Sequence, residues 1–227
     1  MERWPWLANG LSDTISSIQL RAEVPMIVAV APPKLMTADE FFDFVNAIEN
    51  RNRYFELVRG EVIEVSRPTR IHGRVCANTT FRLEMHVQKR KKGYIVCNDS
   101  GVILEYDPDT VRGPDVAYYE DVERFEDLPE KWGDTVPRLA VEVLSPNDTA
   151  RYITEKINDF LNNGVEVVWV IEPDAKKVTV YSKTGITSLT EKDTLTGGDV
   201  LPGFKCKVAD LFVLPEAVKK PKRKRSS

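Results

Sequence analysis

Residues 138–171 read RLAVEVLSPNDTARYITEKINDFLNNGVEVVWVI, and this stretch decides the fold that the sequence predicts. Residues 138–144 form a short apolar run, which is typical of a strand buried on both faces. Apolar residues then recur at helical spacing between positions 153 and 161, and Gly164 is suited to end that helix. Residues 165–171 are again apolar and β-branched. Strand, helix and strand with short connections predict a right-handed crossover between two parallel strands, and therefore an α/β protein.

One carboxylate, Glu142, interrupts the first apolar run near its C-terminal end. An acid inside a buried strand is costly unless a partner or a function accounts for it. Glu142 would lie at the carboxyl end of a central strand, where open α/β sheets bind their ligands. Lys156 falls on the helix beside that strand, and Asp115 directly precedes another predicted strand. We therefore interpret Asp115, Glu142 and Lys156 as one candidate site.

The composition is that of an ordinary globular protein. The chain has 227 residues, 42% of them hydrophobic and 30% charged, which is enough for one domain with a sizeable core. Three widely spaced cysteines argue against a disulfide framework, so we expect a reducing, cytoplasmic environment. Two histidines are too few for a zinc site built on several of them. The apolar run at 24–31 is too short to span a bilayer, so no membrane partner is expected.

The net charge of −3 conceals an uneven distribution. Six basic residues lie in the last nine positions, and the rest of the chain has 26 basic against 35 acidic residues, a net charge of −9. An acidic body does not by itself indicate a nucleic-acid-binding protein. It can still bind DNA through a local groove, with metal ions offsetting the carboxylates of a site.

Three regions are predicted along the chain. Residues 1–34 form an N-terminal extension without a clear period, residues 35–214 form the folded domain, and residues 215–227 form a disordered basic tail. Within the domain we predict four further features. They are a helix opened by the capping box Thr37 and Glu40, a β-hairpin turning at Arg59-Gly60, a long helix at 71–91, and an antiparallel pair of strands at 178–181 and 186–189.

The residue types of the candidate site suit metal-assisted hydrolysis. Magnesium and manganese prefer oxygen ligands, commonly one or two carboxylates, and Asp115 and Glu142 would supply them. Such an ion activates bound water and offsets charge on a phosphoryl oxygen. A lysine such as Lys156 can orient the water or stabilise the transition state. These are the minimum requirements for hydrolysing a phosphodiester bond.

Three motifs in this order carry a resemblance to a known family. They are GPDV with Asp115, VEVLSP with Glu142, and EKINDFLNNGVEVVWVIEP with Lys156. Here the chain resembles the PD-(D/E)XK nuclease superfamily and, within it, the Uma2 family of restriction-endonuclease-like proteins, over about residues 35–213. The resemblance implies a restriction-endonuclease-like core, an α/β fold with a mixed central β-sheet flanked by helices. It also implies a divalent metal held by Asp115 and Glu142.

The chain departs from the superfamily motif at one position and from the family pattern at another. The superfamily lysine stands two residues after the acid, where this chain has Leu144. The Uma2 family is similar in lacking it there, and Lys156 matches the lysine that has moved to the helix. The family usually has an aspartate four residues before that lysine, and this chain has Tyr152.

The resemblance also extends to an early hairpin. The family pattern of an acid, a glycine and a second acid corresponds to Glu56, Gly60 and Glu61, and its following histidine corresponds to His72. The resemblance implies that Glu56 is an additional acid on the metal side of the site. It implies that His72 contacts the substrate or a water molecule.

Each candidate also has an ordinary structural explanation. Asp115 could be a turn residue at the entry to a strand, and Lys156 could be a solvated lysine on a helix surface. Glu56 and Glu61 could be acids on the outward face of a strand. His72 could be a structural or surface histidine near a helix start. An ordinary structural explanation is weakest for Glu142, because a central apolar strand seldom contains an acid.

The sequence therefore predicts a Mg²⁺- or Mn²⁺-dependent DNA endonuclease. Such enzymes usually act as homodimers, since each protomer cleaves one strand of a two-fold duplex. A catalytically silent DNA-binding or regulatory relative is the alternative, and a small-molecule phosphohydrolase is a third possibility. The basic tail resembles a nuclear-import or nucleic-acid patch, and we expect it to raise DNA affinity without specificity.

Overall fold

A computed structural model describes residues 35–215, so the predicted N-terminal extension and almost all of the predicted basic tail lie outside the described residues. Short 3₁₀ helices also occur at Ile48–Asn50, Phe125–Asp127 and Val208–Phe212. The helices and strands are α1 (Ala38–Asn46), β1 (Tyr54–Val58), β2 (Glu61–Val65), α2 (Arg70–Arg90), β3 (Tyr94–Cys97), β4 (Val102–Glu105), β5 (Thr110–Arg112), β6 (Val116–Tyr119), β7 (Leu139–Val143), α3 (Ala150–Asn162), β8 (Val167–Glu172), β9 (Lys177–Ser182), β10 (Gly185–Thr190), β11 (Thr194–Gly197) and β12 (Leu201–Lys207).

The strands form a six-stranded mixed sheet, a four-stranded antiparallel sheet and a two-stranded ribbon. The six-stranded sheet has the order β10-β9-β8-β7-β6-β3, and the four-stranded sheet has the order β2-β1-β5-β4. In the first, β7 and β8 are parallel and α3 connects them, while the other neighbours are antiparallel. The predicted α/β fold with a mixed sheet and a βαβ crossover is confirmed.

Local sequence signals explain several of these elements. Arg59 and Gly60 both have positive φ angles, the backbone of a two-residue hairpin turn, and they join β1 to β2 as predicted. Thr37 and Glu40 form the predicted capping box at the start of α1. The predicted antiparallel strands near residues 178–189 are β9 and β10.

The two long helices pack on opposite faces of the six-stranded sheet. Side chains alternate between the faces of a strand, so Leu139, Val141 and Val143 of β7 pack with apolar residues of α2. Ala140 packs on the other face with Ile157 and other residues of α3. Glu142 shares that face with Ala140, and this alternation turns its carboxylate towards α3.

The loop between β3 and β4 crosses from one sheet to the other. β3 forms the edge of the six-stranded sheet beside β6, whereas β4 pairs with β5 in the four-stranded sheet. Asn98 and Asp99 in this loop have φ angles of 73° and 53°, which asparagine and aspartate tolerate better than most residues. The crossing brings Asp99 to the boundary of the two sheets.

Within residues 35–215, none of the helices combines the length and the apolar character that a bilayer span requires.

Candidate active site

A polar cavity of about 110 Å³ opens at the carboxyl end of β7, and residues of both larger sheets, α2 and α3 bound it. All five residues selected from the sequence line it: Glu56, His72, Asp115, Glu142 and Lys156. The remaining lining residues are Phe41, Tyr54, Phe55, Val65, Ser66, Pro68, Asp99, Gly101, Val111, Gly113, Trp132, Val143, Ser145, Asp148, Tyr152 and Ile153. Glu61, the second acid of the hairpin, is exposed instead.

Lys156 connects the two glutamates of the site. Its Nζ lies 2.8 Å from Glu142 Oε2 and 3.0 Å from Glu56 Oε1, and it donates a hydrogen bond to the carbonyl of Gly113 at 2.9 Å. Lys156 is only 5% exposed, so it is not a solvated surface lysine. Burial alone would lower the pKa of Lys156, but the charges of Glu142 and Glu56 raise it. Lys156 is therefore a fixed positive charge inside the cavity wall.

Three residues that were not predicted to belong to the site form a network around Glu56. Arg112 Nη1 lies 2.6 Å from Glu56 Oε2, and Arg112 Nη2 lies 2.5 Å from Asp159 Oδ2. Tyr152 donates a hydrogen bond to Glu56 Oε2 at 2.5 Å. Burial would raise the pKa of Glu56, but the charges of Lys156 and Arg112 outweigh it and lower the pKa to about 2. Glu56 is therefore ionised at neutral pH.

Sequence signals for these residues existed but were ambiguous. Arg112 is a charged residue in a short β-branched run, directly before the Gly-Pro of GPDV. Tyr152 precedes Lys156 by four residues, which places both on one face of α3. Asp159 is one of several polar residues in α3, which is an amphipathic helix. Only the packing of β5 against α3 shows that all three belong to one network.

Asp115 is held by α2 and by its neighbouring strand. Its Oδ1 lies 3.0 Å from His72 Nε2, and its Oδ2 accepts a hydrogen bond from the backbone N–H of Val143 at 2.6 Å. Burial would lower the pKa of His72, but the hydrogen bond and charge of Asp115 raise it. His72 is 9% exposed, so it is buried rather than a surface histidine. The geometry assigns it a contact with Asp115.

Asp99 brings a further carboxylate to the cavity. Partial burial and the charge of Asp115 raise the pKa of Asp99 to about 6. A Cβ atom added to Gly113 would lie 2.4 Å from the carbonyl oxygen of Asp99, so glycine is needed for this loop to approach. Asp99 was not a predicted site residue, because its neighbours Asn98, Ser100 and Gly101 are typical of a turn.

The carboxylate of Glu142 is incompletely satisfied. Its Oε1 is buried and, among the described residues, has no hydrogen-bond partner, while Oε2 is paired with Lys156. Burial raises the pKa of Glu142, while the charge of Lys156 acts in the opposite direction and favours the carboxylate. A buried acceptor without a partner is costly unless a ligand completes it. The oxygens of Glu142 and Asp115, in one cavity, therefore fit a hard divalent cation such as Mg²⁺ or Mn²⁺.

A second group of ligand atoms overlaps this one. Ligand atoms of His72, Cys76 and Asp115 all lie within 4.8 Å of one another. Burial raises the pKa of the Cys76 thiol, which keeps it protonated and unsuited to a hard cation. For magnesium or manganese the all-oxygen group of Asp115 and Glu142 is therefore the better match.

A comparison with protein families identifies the family of the chain. The model of the Uma2 family, described as "Putative restriction endonuclease", matches residues 38–209. This chain belongs to the Uma2 family. The match includes every residue that the sequence analysis selected, and it supports a nuclease-like function for this Uma2 member.

Among solved structures, the fold of this Uma2 member is similar to that of a protein from Anabaena variabilis ATCC 29413, described as "a putative nuclease belonging to DUF820". The two chains align with a TM-score of 0.64 and 18% sequence identity, over 78% of this chain and 97% of the other. At that identity the likeness concerns the fold. No curated protein matches the sequence significantly.

Proposed function

We propose that this Uma2 member is a Mg²⁺- or Mn²⁺-dependent endonuclease that hydrolyses DNA phosphodiester bonds. The observation that carries the proposal is the buried Oε1 of Glu142, which has no hydrogen-bond partner within residues 35–215. It lies in a cavity shared with Asp115 and next to the charged Lys156. Asp115 and Glu142 would hold the cation, which supplies charge to a phosphoryl oxygen and acidifies a bound water.

The side chains of the chain itself have distinct roles in this proposal. Lys156 keeps its proton because Glu142 and Glu56 raise its pKa, so it stabilises negative charge or orients water and does not act as a base. Glu56, ionised by Arg112 and Lys156, holds that ammonium group in position. His72 fixes one oxygen of Asp115, and it lines the cavity where it can also contact the substrate.

We further propose that the protein acts as a homodimer, so that two sites can cut the two strands of a duplex. Its three cysteines are unpaired, which suits a reducing cytoplasm.

Two observations favour the alternative of a catalytically silent DNA-binding relative. Lys156 forms ion pairs with Glu142 and Glu56 at once, so part of the metal-binding capacity of Glu142 is used within the protein. Tyr152, which donates to Glu56, also stands where the family usually has an aspartate. In this alternative the ion pairs are purely structural.

A cleavage assay distinguishes the two functions. Purified protein is incubated with supercoiled plasmid and with single-stranded DNA, in Mg²⁺, Mn²⁺ or EDTA. We expect nicked or linear plasmid with either metal and none in EDTA, because the carboxylates need the cation to engage the phosphate. Intact DNA under every condition, together with retained DNA binding, would favour the silent relative.

A further inference from the structure

An arginine and tyrosine rim borders the cavity where β2 leads into α2. Tyr54 lies two residues before Glu56 on β1, so both side chains are on the same face of the strand, and both line the cavity. The guanidinium carbon of Arg67 lies 5.6 Å from the centre of the Tyr54 ring. Arg67 also lies between Ser66 and Pro68, which line the cavity. The rim is therefore continuous with the candidate active site.

The charges of this rim are available to a ligand. Arg67 and Arg70 are exposed, and neither forms an ion pair with another described residue. Arg67 donates one hydrogen bond to the carbonyl of Asn52 at 2.9 Å, which holds it over the Tyr54 ring. The first turn of α2, which begins with Arg70, contains no acid. Tyr54 itself remains 36% exposed.

We propose that Tyr54, Arg67 and Arg70, here called the mouth rim, bind the nucleic-acid strand that enters the cavity. This inference rests on the proposed nuclease function. Arg67 and Arg70 contact backbone phosphates, and Tyr54 provides a face on which a base stacks. Charge beyond about 10 Å is screened at ordinary salt, so a local cationic rim attracts phosphate although the body of the protein is acidic.

A second basic surface lies at the other end of α2 and provides a matched control. Lys89 and Lys91 are exposed and, like the two arginines, have no ion pair within residues 35–215. Their neighbours Arg90 and Lys92 both pair with Glu120. The 21 residues of α2 separate the two surfaces by about 30 Å. Of these two surfaces, only the mouth rim adjoins the cavity.

The test measures binding of the full-length protein to a fluorescein-labelled 20-nucleotide single strand and to the corresponding duplex. The Glu142→Gln protein serves as the parent, and every other variant also carries this substitution. All are assayed in EDTA, so that cleavage does not affect the measured binding. The double variant Arg67→Gln/Arg70→Gln is compared with Lys89→Gln/Lys91→Gln over a range of KCl concentrations. Tyr54→Ala is compared with Tyr54→Phe.

We expect the arginine pair to account for two phosphate contacts. The slope of log affinity against log salt for the single strand should become shallower by about 1.4 in Arg67→Gln/Arg70→Gln and stay unchanged in the lysine control. Tyr54→Ala should weaken single-strand binding roughly 5- to 160-fold, the range of one base–aromatic stack, and Tyr54→Phe should bind as the parent does.

Equal slopes for the parent and the arginine variant would overturn the inference. Equal losses in both double variants, or no binding by the parent protein, would overturn it as well. The plasmid assay is independent of these measurements. If the wild-type protein cleaves plasmid but the salt slope is the same with and without Arg67→Gln/Arg70→Gln, the mouth rim is refuted and the nuclease proposal stands.

Discussion

Replacing Glu142 with glutamine is expected to reduce metal-dependent DNA cleavage by about 1,000-fold or more. The substitution keeps the shape of a side chain that is only 5% exposed, but it removes the charge that completes the cation site. Loss of one group that stabilises transition-state charge typically costs about 100- to 1,000-fold, and weaker cation binding adds to it. Rates are measured as nicking of supercoiled plasmid at saturating Mg²⁺.

Glu61→Gln is the matched control for this experiment. Glu61 belongs to the same family pattern as Glu56, yet it is exposed on β2 and does not line the cavity. We expect Glu61→Gln to cleave at the wild-type rate. Similar rates for wild-type protein and Glu142→Gln, with both folded by circular dichroism, would remove Glu142 from the catalytic site.

Arg112→Met is expected to lower the free energy of unfolding by about 3–5 kcal/mol. Arg112 is 1% exposed and binds both Glu56 and Asp159, so its removal takes a buried cationic partner away from two largely buried carboxylates. The free energy is measured by urea denaturation at pH 7. The loss should be smaller at low pH, because the lowered pKa of Glu56 stabilises the fold above about pH 4.5, and that contribution disappears as pH falls towards 2.

Arg138→Met tests whether any arginine ion pair has this effect. Arg138 also binds two carboxylates, Glu120 and Glu166, but its side chain is 31% exposed. Solvent screens such pairs, and we expect a loss of about 1 kcal/mol or less. If Arg138→Met and Arg112→Met destabilised the protein equally, this would refute the claim that burial makes the ion pairs of Arg112 more important for stability.

The part of the fold that local sequence patterns control could be predicted. The apolar runs around Glu142 and the spacing of α3 predicted a parallel crossover, and β7 and β8 have that geometry. The hairpin at Arg59-Gly60 followed from turn chemistry, because a glycine readily adopts the positive φ that such a turn requires. These features depend on residues within a few positions of one another.

The partners within the site depend on contacts that are distant in the sequence. Arg112 and Asp159 are 47 residues apart, and Glu56 and Tyr152 are 96 residues apart. The pattern around Arg112 does not indicate that β5 packs against α3 instead of solvent. Similarly, the sequence alone did not show whether His72 is buried or lies on the surface, because this depends on the position of α2 beside Asp115. Glu56 and His72 were predicted as site residues from the family resemblance and not from the chemistry of the residues alone.

Soaking crystals with MnCl₂ and locating manganese by anomalous diffraction tests the central claim most directly. We predict an anomalous peak in the cavity about 2.1 Å from an oxygen of Asp115 and from Glu142 Oε1, the usual range for oxygen ligands of such an ion. In crystals of the Glu142→Gln variant the peak should weaken or vanish. A manganese ion bound elsewhere, or an empty cavity at saturating Mn²⁺, would contradict the assignment of this cavity as a metal-dependent nuclease site.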